Sequence, residues 1–153
     1  MNRILFVCLG NICRSPMAEF IMKKLVADRG LEDKFQIASA ATSREELGNP
    51  VYTPAQRELA RHGISCSGKT ARQITSEDYY RFDMIIAMDS SNLRSLERIL
   101  PRSDKTSLLL DYTPSPADIA DPWYTGDFVT AYEQILTGCQ GLMRYLGYCG
   151  KID

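Results

Sequence analysis

The sequence predicts an α/β fold, a four-stranded parallel sheet with helices on both faces. Two observations carry that prediction. Short apolar runs alternate along the chain with longer segments of helical periodicity. Alternation of this kind argues for parallel strands joined by helical crossovers. The length, 153 residues, is also that of one domain with one sizeable core, and no linker, repeat or low-complexity tract divides residues 1–153.

Each element has its own signal. Residues 3–8, beginning "RILFV", read as a buried first strand. Residues 16–29 carry Met17, Ala18, Ile21, Met22, Leu25 and Val26 on one helical stripe, and Gly30 stops that helix. "FQIAS" at 35–39 is the second strand. "TPAQRELARHG" is a helix with Thr53 as cap, Pro54 in its first turn and Gly63 at its end. "FDMIIAM" at 82–88 is the third strand, followed by a helix over "SSNLRSLERIL" that ends before Pro101. "TSLLL" at 106–110 is the fourth strand, and a long helix with a core stripe spans 127–147. Ligands in such folds sit at the carboxyl ends of the strands. Two irregular segments, 41–52 and 111–126, are long enough to reach that edge.

Composition narrows the function classes. Hydrophobic residues make up 44% and charged residues 24%, with a net charge of −1. That balance gives no field for nucleic acid or an anionic membrane. No apolar stretch approaches the roughly 20 residues of a membrane span. The start "MNRILFVC" has the wrong flanks for a signal peptide, so a cytoplasmic location is expected. The five cysteines, Cys8, Cys13, Cys66, Cys139 and Cys149, form no regular framework, and free thiols are expected. With His62 the only histidine, ligands for a structural metal site are too few, and no metal or other cofactor is expected.

The chemistry concentrates in "CLGNICRSP", residues 8–16, where the first strand hands over to the first helix. The N–H groups of Leu9, Gly10, Asn11, Ile12, Cys13 and Arg14 can converge into an anion-binding nest. The positive end of the following helix adds to it, with Ser15 as expected cap and Pro16 as first helical residue. Gly10 and Asn11 tolerate the left-handed backbone of a tight nest. The Arg14 guanidinium presents a fork to two phosphate oxygens. A positive field of this kind favours the thiolate of Cys8, a nucleophile aimed at phosphorus. The Cys-x5-Arg spacing alone is weak evidence, because "CSGKTAR" places Cys66 and Arg72 equally far apart. That second match follows the end of a helix and lacks a Ser-Pro helix start.

Cleaving a phosphate ester also needs an acid for the leaving oxygen. "IADPWY" offers Asp121, with Trp123 and Tyr124 as flat apolar walls, and Asp118 stands three residues earlier as the alternative. Together, "VCLGNICRSPMAE", "HGI" at 62–64, "ARQI" at 71–74, "FDMIIAMD" at 82–89, "SNL" at 91–93 and the distant "DPWY" resemble the low-molecular-weight protein-tyrosine phosphatases over essentially the whole chain. The resemblance implies a flavodoxin-like fold and a two-step mechanism without metal, acting on phosphotyrosine proteins or peptides and releasing inorganic phosphate. Cys8 would be the nucleophile, Arg14 and the loop the phosphate holders, and Asp121 the acid. Ser15 would stabilise the thiolate, Asn11 would shape the loop with His62 behind it, and Cys13 would be the partner in reversible oxidation of Cys8. A phosphoarginine phosphatase, a thiol-dependent arsenate reductase and a non-catalytic phosphate binder are the alternatives. The phosphoarginine group carries Thr where Ile12 stands, and an arsenate reductase needs relay cysteines where this chain has only Cys66.

Overall fold

In the computed structural model, which describes residues 1–148, four strands form one parallel sheet. Strand β1 (Asn2–Cys8) lies beside β2 (Phe35–Ala41) on one side and β3 (Met84–Ala87) on the other, and β4 (Thr106–Leu108) completes the order β2-β1-β3-β4. The chain therefore leaves β1 toward β2 and returns across the sheet to β3. Such a reversal opens a crevice at the carboxyl ends of the central strands. Cys8 is the last residue of β1 and sits at that crevice.

The uninterrupted apolar run of β1 is explained by burial on both faces. Ile4, Phe6 and Cys8 join the core made with α1 (Arg14–Asp28), α2 (Thr53–Arg61) and α6 (Phe128–Tyr145). Leu5 and Val7 point into the core under α3 (Ser76–Arg81) and α4 (Ser90–Ile99). Each such buried side chain contributes about 1.5–3 kcal/mol of transfer free energy. Helix α6 packs closely on a 3-10 turn at Leu109–Tyr112, where Gly141 leaves room that a Cβ would take from the Tyr112 carbonyl.

The fold class is as expected, with adjustments at the element ends. Helix α1 begins at Arg14, so Cys13 rather than Ser15 is its N-cap, and Pro16 is the third helical residue. Proline is free there because the first N–H groups of a helix have no intrahelical acceptor. Likewise Tyr52, not Thr53, caps α2. The fourth strand is shorter than expected because the 3-10 turn takes over at Leu109. Two helices were not anticipated, α3 and the four-residue α5 (Pro122–Thr125). Cys149 lies outside the described residues, and no described helix is long and apolar enough to cross a membrane.

Candidate active site

The turn after β1 leaves a run of backbone N–H groups without protein acceptors: among the described residues, none of the N–H groups of residues 9–13 donates to one. The carbonyls face outward instead. Cys8, Leu9 and Ile12 accept from the backbones of Thr42, Ser43 and Tyr52 at 3.0, 3.0 and 2.9 Å. Asn11 alone supplies the left-handed residue, with φ of 59°. Gly10 has negative φ, and a Cβ there would lie 3.2 Å from Cγ of the Glu46 side chain, a close contact.

The Asn11 side chain turns inward, and its hydrogen bonds set the polarity of a buried chain that ends at the thiol. Arg72 N–H donates to Asn11 Oδ1 at 3.2 Å, which fixes the amide's orientation. Asn11 Nδ2 then donates to Ser39 Oγ at 3.0 Å and to Ser15 Oγ at 2.8 Å. Ser39 Oγ–H goes to Glu19 Oε1 at 2.6 Å, so it can accept from Asn11. Ser15 Oγ, already an acceptor, turns its own proton toward Cys8 Sγ at 3.0 Å. Glu19 pairs with Lys23 Nζ at 2.6 Å and Lys69 Nζ at 3.4 Å. Burial pulls the Lys69 ammonium below its ordinary pKa, against the opposing pull of Glu19. Ser15 and Glu19 are four residues apart on one face of α1, a spacing visible in the sequence but not used there.

Arg14 is 2% exposed, which is extreme for arginine. Nη1 donates to Asp89 Oδ2 and to the Ile119 carbonyl, each at 2.7 Å. Nη2 lies 3.4 Å from Asp121 Oδ2, and Nε has no protein partner among the described residues. Burial acts to lower the guanidinium's pKa, but Cys8, Asp89 and Asp121 together raise it above its ordinary value. Asp89 follows β3 and also caps α4 through Asn92 N–H at 2.8 Å, so one carboxylate fixes both a helix and the arginine.

Asp121 caps α5 by accepting from Trp123 N–H at 3.0 Å. Cys8, Leu9, Gly10, Ile12, Cys13 and Arg14 thus share one cavity of about 170 Å³ with Asp121, Trp123 and Tyr124. Trp123 is braced by Tyr52, ring centroids 4.7 Å apart. Asp118 instead accepts from Ser90 N–H and Oγ–H outside the cavity. Burial raises the Cys13 thiol well above its ordinary pKa, with Cys8 and Asp121 adding to the effect, so it remains protonated. His62 is the C-cap of α2. Its ring stacks on Tyr132 at 3.8 Å and bonds to Glu58 at 3.0 Å, because it ends α2 against α6. Among the described residues no three His, Cys, Asp or Glu side chains cluster as a metal site would require.

The family model of the low molecular weight phosphotyrosine protein phosphatases matches residues 3–149. The chain belongs to this family. It is 45% identical over 147 residues to the low molecular weight protein-tyrosine-phosphatase YfkJ of Bacillus subtilis, covering 94% of each. Against the human low molecular weight phosphotyrosine protein phosphatase it is also 45% identical, over 92% of this chain and 93% of that one. The crystal structure of YfkJ superposes with a TM-score of 0.93 at 44% identity, covering 95% of this chain and 94% of the other. The chain is therefore a hydrolase of the protein-tyrosine phosphatase class with a flavodoxin-like fold.

Proposed function

We propose that this phosphatase hydrolyses phosphotyrosine in proteins or peptides through a phosphoryl group carried on Cys8. The Cys8 thiolate attacks phosphorus, forming a P–S bond as the P–O bond to the tyrosine ring breaks. Asp121 gives its proton to the departing phenolate oxygen. The resulting carboxylate then takes a proton from water, whose oxygen attacks phosphorus and releases inorganic phosphate and the Cys8 thiolate. The N–H groups of residues 9–13 and the Nε edge of Arg14 hold the non-bridging oxygens, where charge is greatest in the transition state. Ser15 O–H stabilises the thiolate as nucleophile and as leaving group.

One observation supports this reading above the rest. A single cavity brings the cysteine, the arginine with an unpartnered buried Nε, the aspartate and an aromatic wall together. The exposed Trp123 and Tyr124 and the apolar Ile12 suit an aryl ester. Cys13 is a protonated thiol in the same cavity, able to capture a Cys8 sulfenic acid as a disulfide. Peptide mapping after peroxide checks that pairing. The free, buried thiols of Cys8, Cys13, Cys66 and Cys139 favour a reducing compartment such as the cytoplasm. The test of the activity is turnover of a phosphotyrosine peptide, a phosphoserine peptide and a small aryl phosphate in excess chelator. Hydrolysis of the first and third is expected. Absence of both, or preference for phosphoserine, would contradict the reading.

A further inference from the structure

The cavity has lining residues that the chemistry does not use. Glu45 and Glu46 line it together with Trp123 and Tyr124. Of the charged side chains lining the cavity, one is a cation, Arg14, and three are carboxylates, Glu45, Glu46 and Asp121. Arg14 is already bonded to Asp89 and faces Asp121. The loop N–H groups are committed to the phosphate. Nothing in the cavity therefore offsets the two glutamates, and among the described residues neither pairs with a cation.

These carboxylates do not sit on a loose arm. Their segment is tied to the phosphate loop by Thr42 N–H to Cys8 O and Ser43 N–H to Leu9 O, both at 3.0 Å. Beyond them, Gly48 N–H bonds to Ala71 O at 2.9 Å, and Tyr52 N–H bonds to Ile12 O at 2.9 Å. Glu46 lies with its Cγ over Gly10, and its Oε1 accepts from Asn49 Nδ2 at 2.8 Å. Its charge reaches the loop, being one of those that hold up the Cys13 pKa. Glu45 is exposed beside it.

We infer that Glu45 and Glu46 select phosphotyrosine peptides carrying a lysine or arginine next to the phosphorylated residue. The inference rests on the phosphotyrosine reading above and specifies its substrate class. With the phosphotyrosine ring in the cavity, the neighbouring peptide side chains lie at the rim. A cation there meets the two carboxylates and the aromatic rings of Trp123 and Tyr124, both favourable. An acidic neighbour meets two like charges. Exposed pairs of this kind are screened by salt, so the preference belongs to low ionic strength.

The test compares kcat/KM for two phosphotyrosine peptides identical except for Lys or Glu beside the phosphotyrosine, with p-nitrophenyl phosphate reporting the chemistry. The Lys peptide is expected to be better by about 3- to 10-fold at low salt, with the gap narrowing in about 0.5 M salt. Glu45→Lys should narrow or invert the ratio, and Glu46→Gln, which keeps the shape over Gly10, should narrow it less. Equal ratios in the wild type and both variants, or a preference for the Glu peptide in the wild type, would overturn the selection while leaving the phosphatase reading standing. Failure of the wild type on p-nitrophenyl phosphate and on both peptides would overturn both.

Discussion

Cys8 and Arg14 are six positions apart, and so are Cys66 and Arg72, yet the fold puts the two pairs to opposite uses. Cys8 ends the central strand at the point where strand order reverses, and Arg14 opens the helix that follows. Cys66 lies after α2 in a separate pocket that it lines with Gln56, Ala60 and Ile64, and burial raises its thiol above the ordinary pKa. Arg14 is 2% exposed and keeps Nε unpartnered in the cavity, whereas Arg72 is 37% exposed with both Nη atoms bonded to Asp78, at 3.0 and 3.1 Å. The second pair supports the first: the backbone N–H of Arg72 fixes Asn11 and hence the hydrogen-bond chain to Cys8. Spacing names a motif, but the strand end, the helix start and the uncommitted N–H groups make it a site.

The largest expected effect separates the two thiols. Cys8→Ser should lower turnover by about 10⁴-fold or more, because a hydroxyl is a far weaker nucleophile here, while Cys66→Ser retains activity. Steady-state kinetics on an aryl phosphate decides this, and the reverse result would exchange the two pairs. Next come the arginines. Arg14→Lys should cost about 10³-fold in kcat, since an ammonium cannot replace the fork, and Arg72→Lys should cost less than about tenfold. Comparable losses in the two variants would erase the distinction.

Asp121→Asn should slow hydrolysis of a poor leaving group by about 10²-fold, and less for an activated aryl phosphate whose phenolate needs little protonation. Asp118→Asn is the control, and equal losses on both substrates would remove Asp121 as acid. The smallest effect is on stability. Burial alone would raise the Asp78 pKa, but hydrogen bonds from Arg72 and Thr75 outweigh it and hold it below the ordinary carboxylate value. A depressed pKa contributes stability that is present above about pH 4 and is lost as pH falls through the folded value. Asp78→Asn should therefore lower stability by about 1–3 kcal/mol at pH 7, with the deficit narrowing below about pH 4. Urea unfolding at the two pH values checks it, and a deficit independent of pH would mean that the Asp78 charge is not the source.

The parallel sheet and the grouping of Cys8, Arg14 and Asp121 at one cavity were legible because each had a local signature. Apolar runs marked the strands, the strand-to-helix turn marked Cys8 and Arg14, and the Asp-Pro-Trp-Tyr turn marked Asp121. What escaped notice depends on contacts between distant segments. Helix α3 carries a capping box, Thr75 with Asp78, that a closer reading of "TSED" would have found. Asp89 shows only as a helix cap until the fold brings Arg14 to it. Glu19 and Lys69 look like surface charges on an amphipathic helix and a loop, and only folding pairs them, with Glu19 buried, at the far end of the Cys8 chain. His62 closes the "TPAQRELARHG" helix pattern, and the structure places it there as the C-cap of α2, stacked on Tyr132.

The central claim is that Cys8, and not Cys66, carries the phosphoryl group. Mixing the enzyme with an activated aryl phosphate and quenching in acid within a few milliseconds traps any cysteinyl-phosphate, which mass spectrometry of proteolytic peptides then locates. A phosphoryl group on the peptide containing Cys8, absent in Cys8→Ser and still present in Cys66→Ser, is the predicted result. A phosphoryl group on the Cys66 peptide, or turnover by Cys8→Ser at the wild-type rate, would contradict the account.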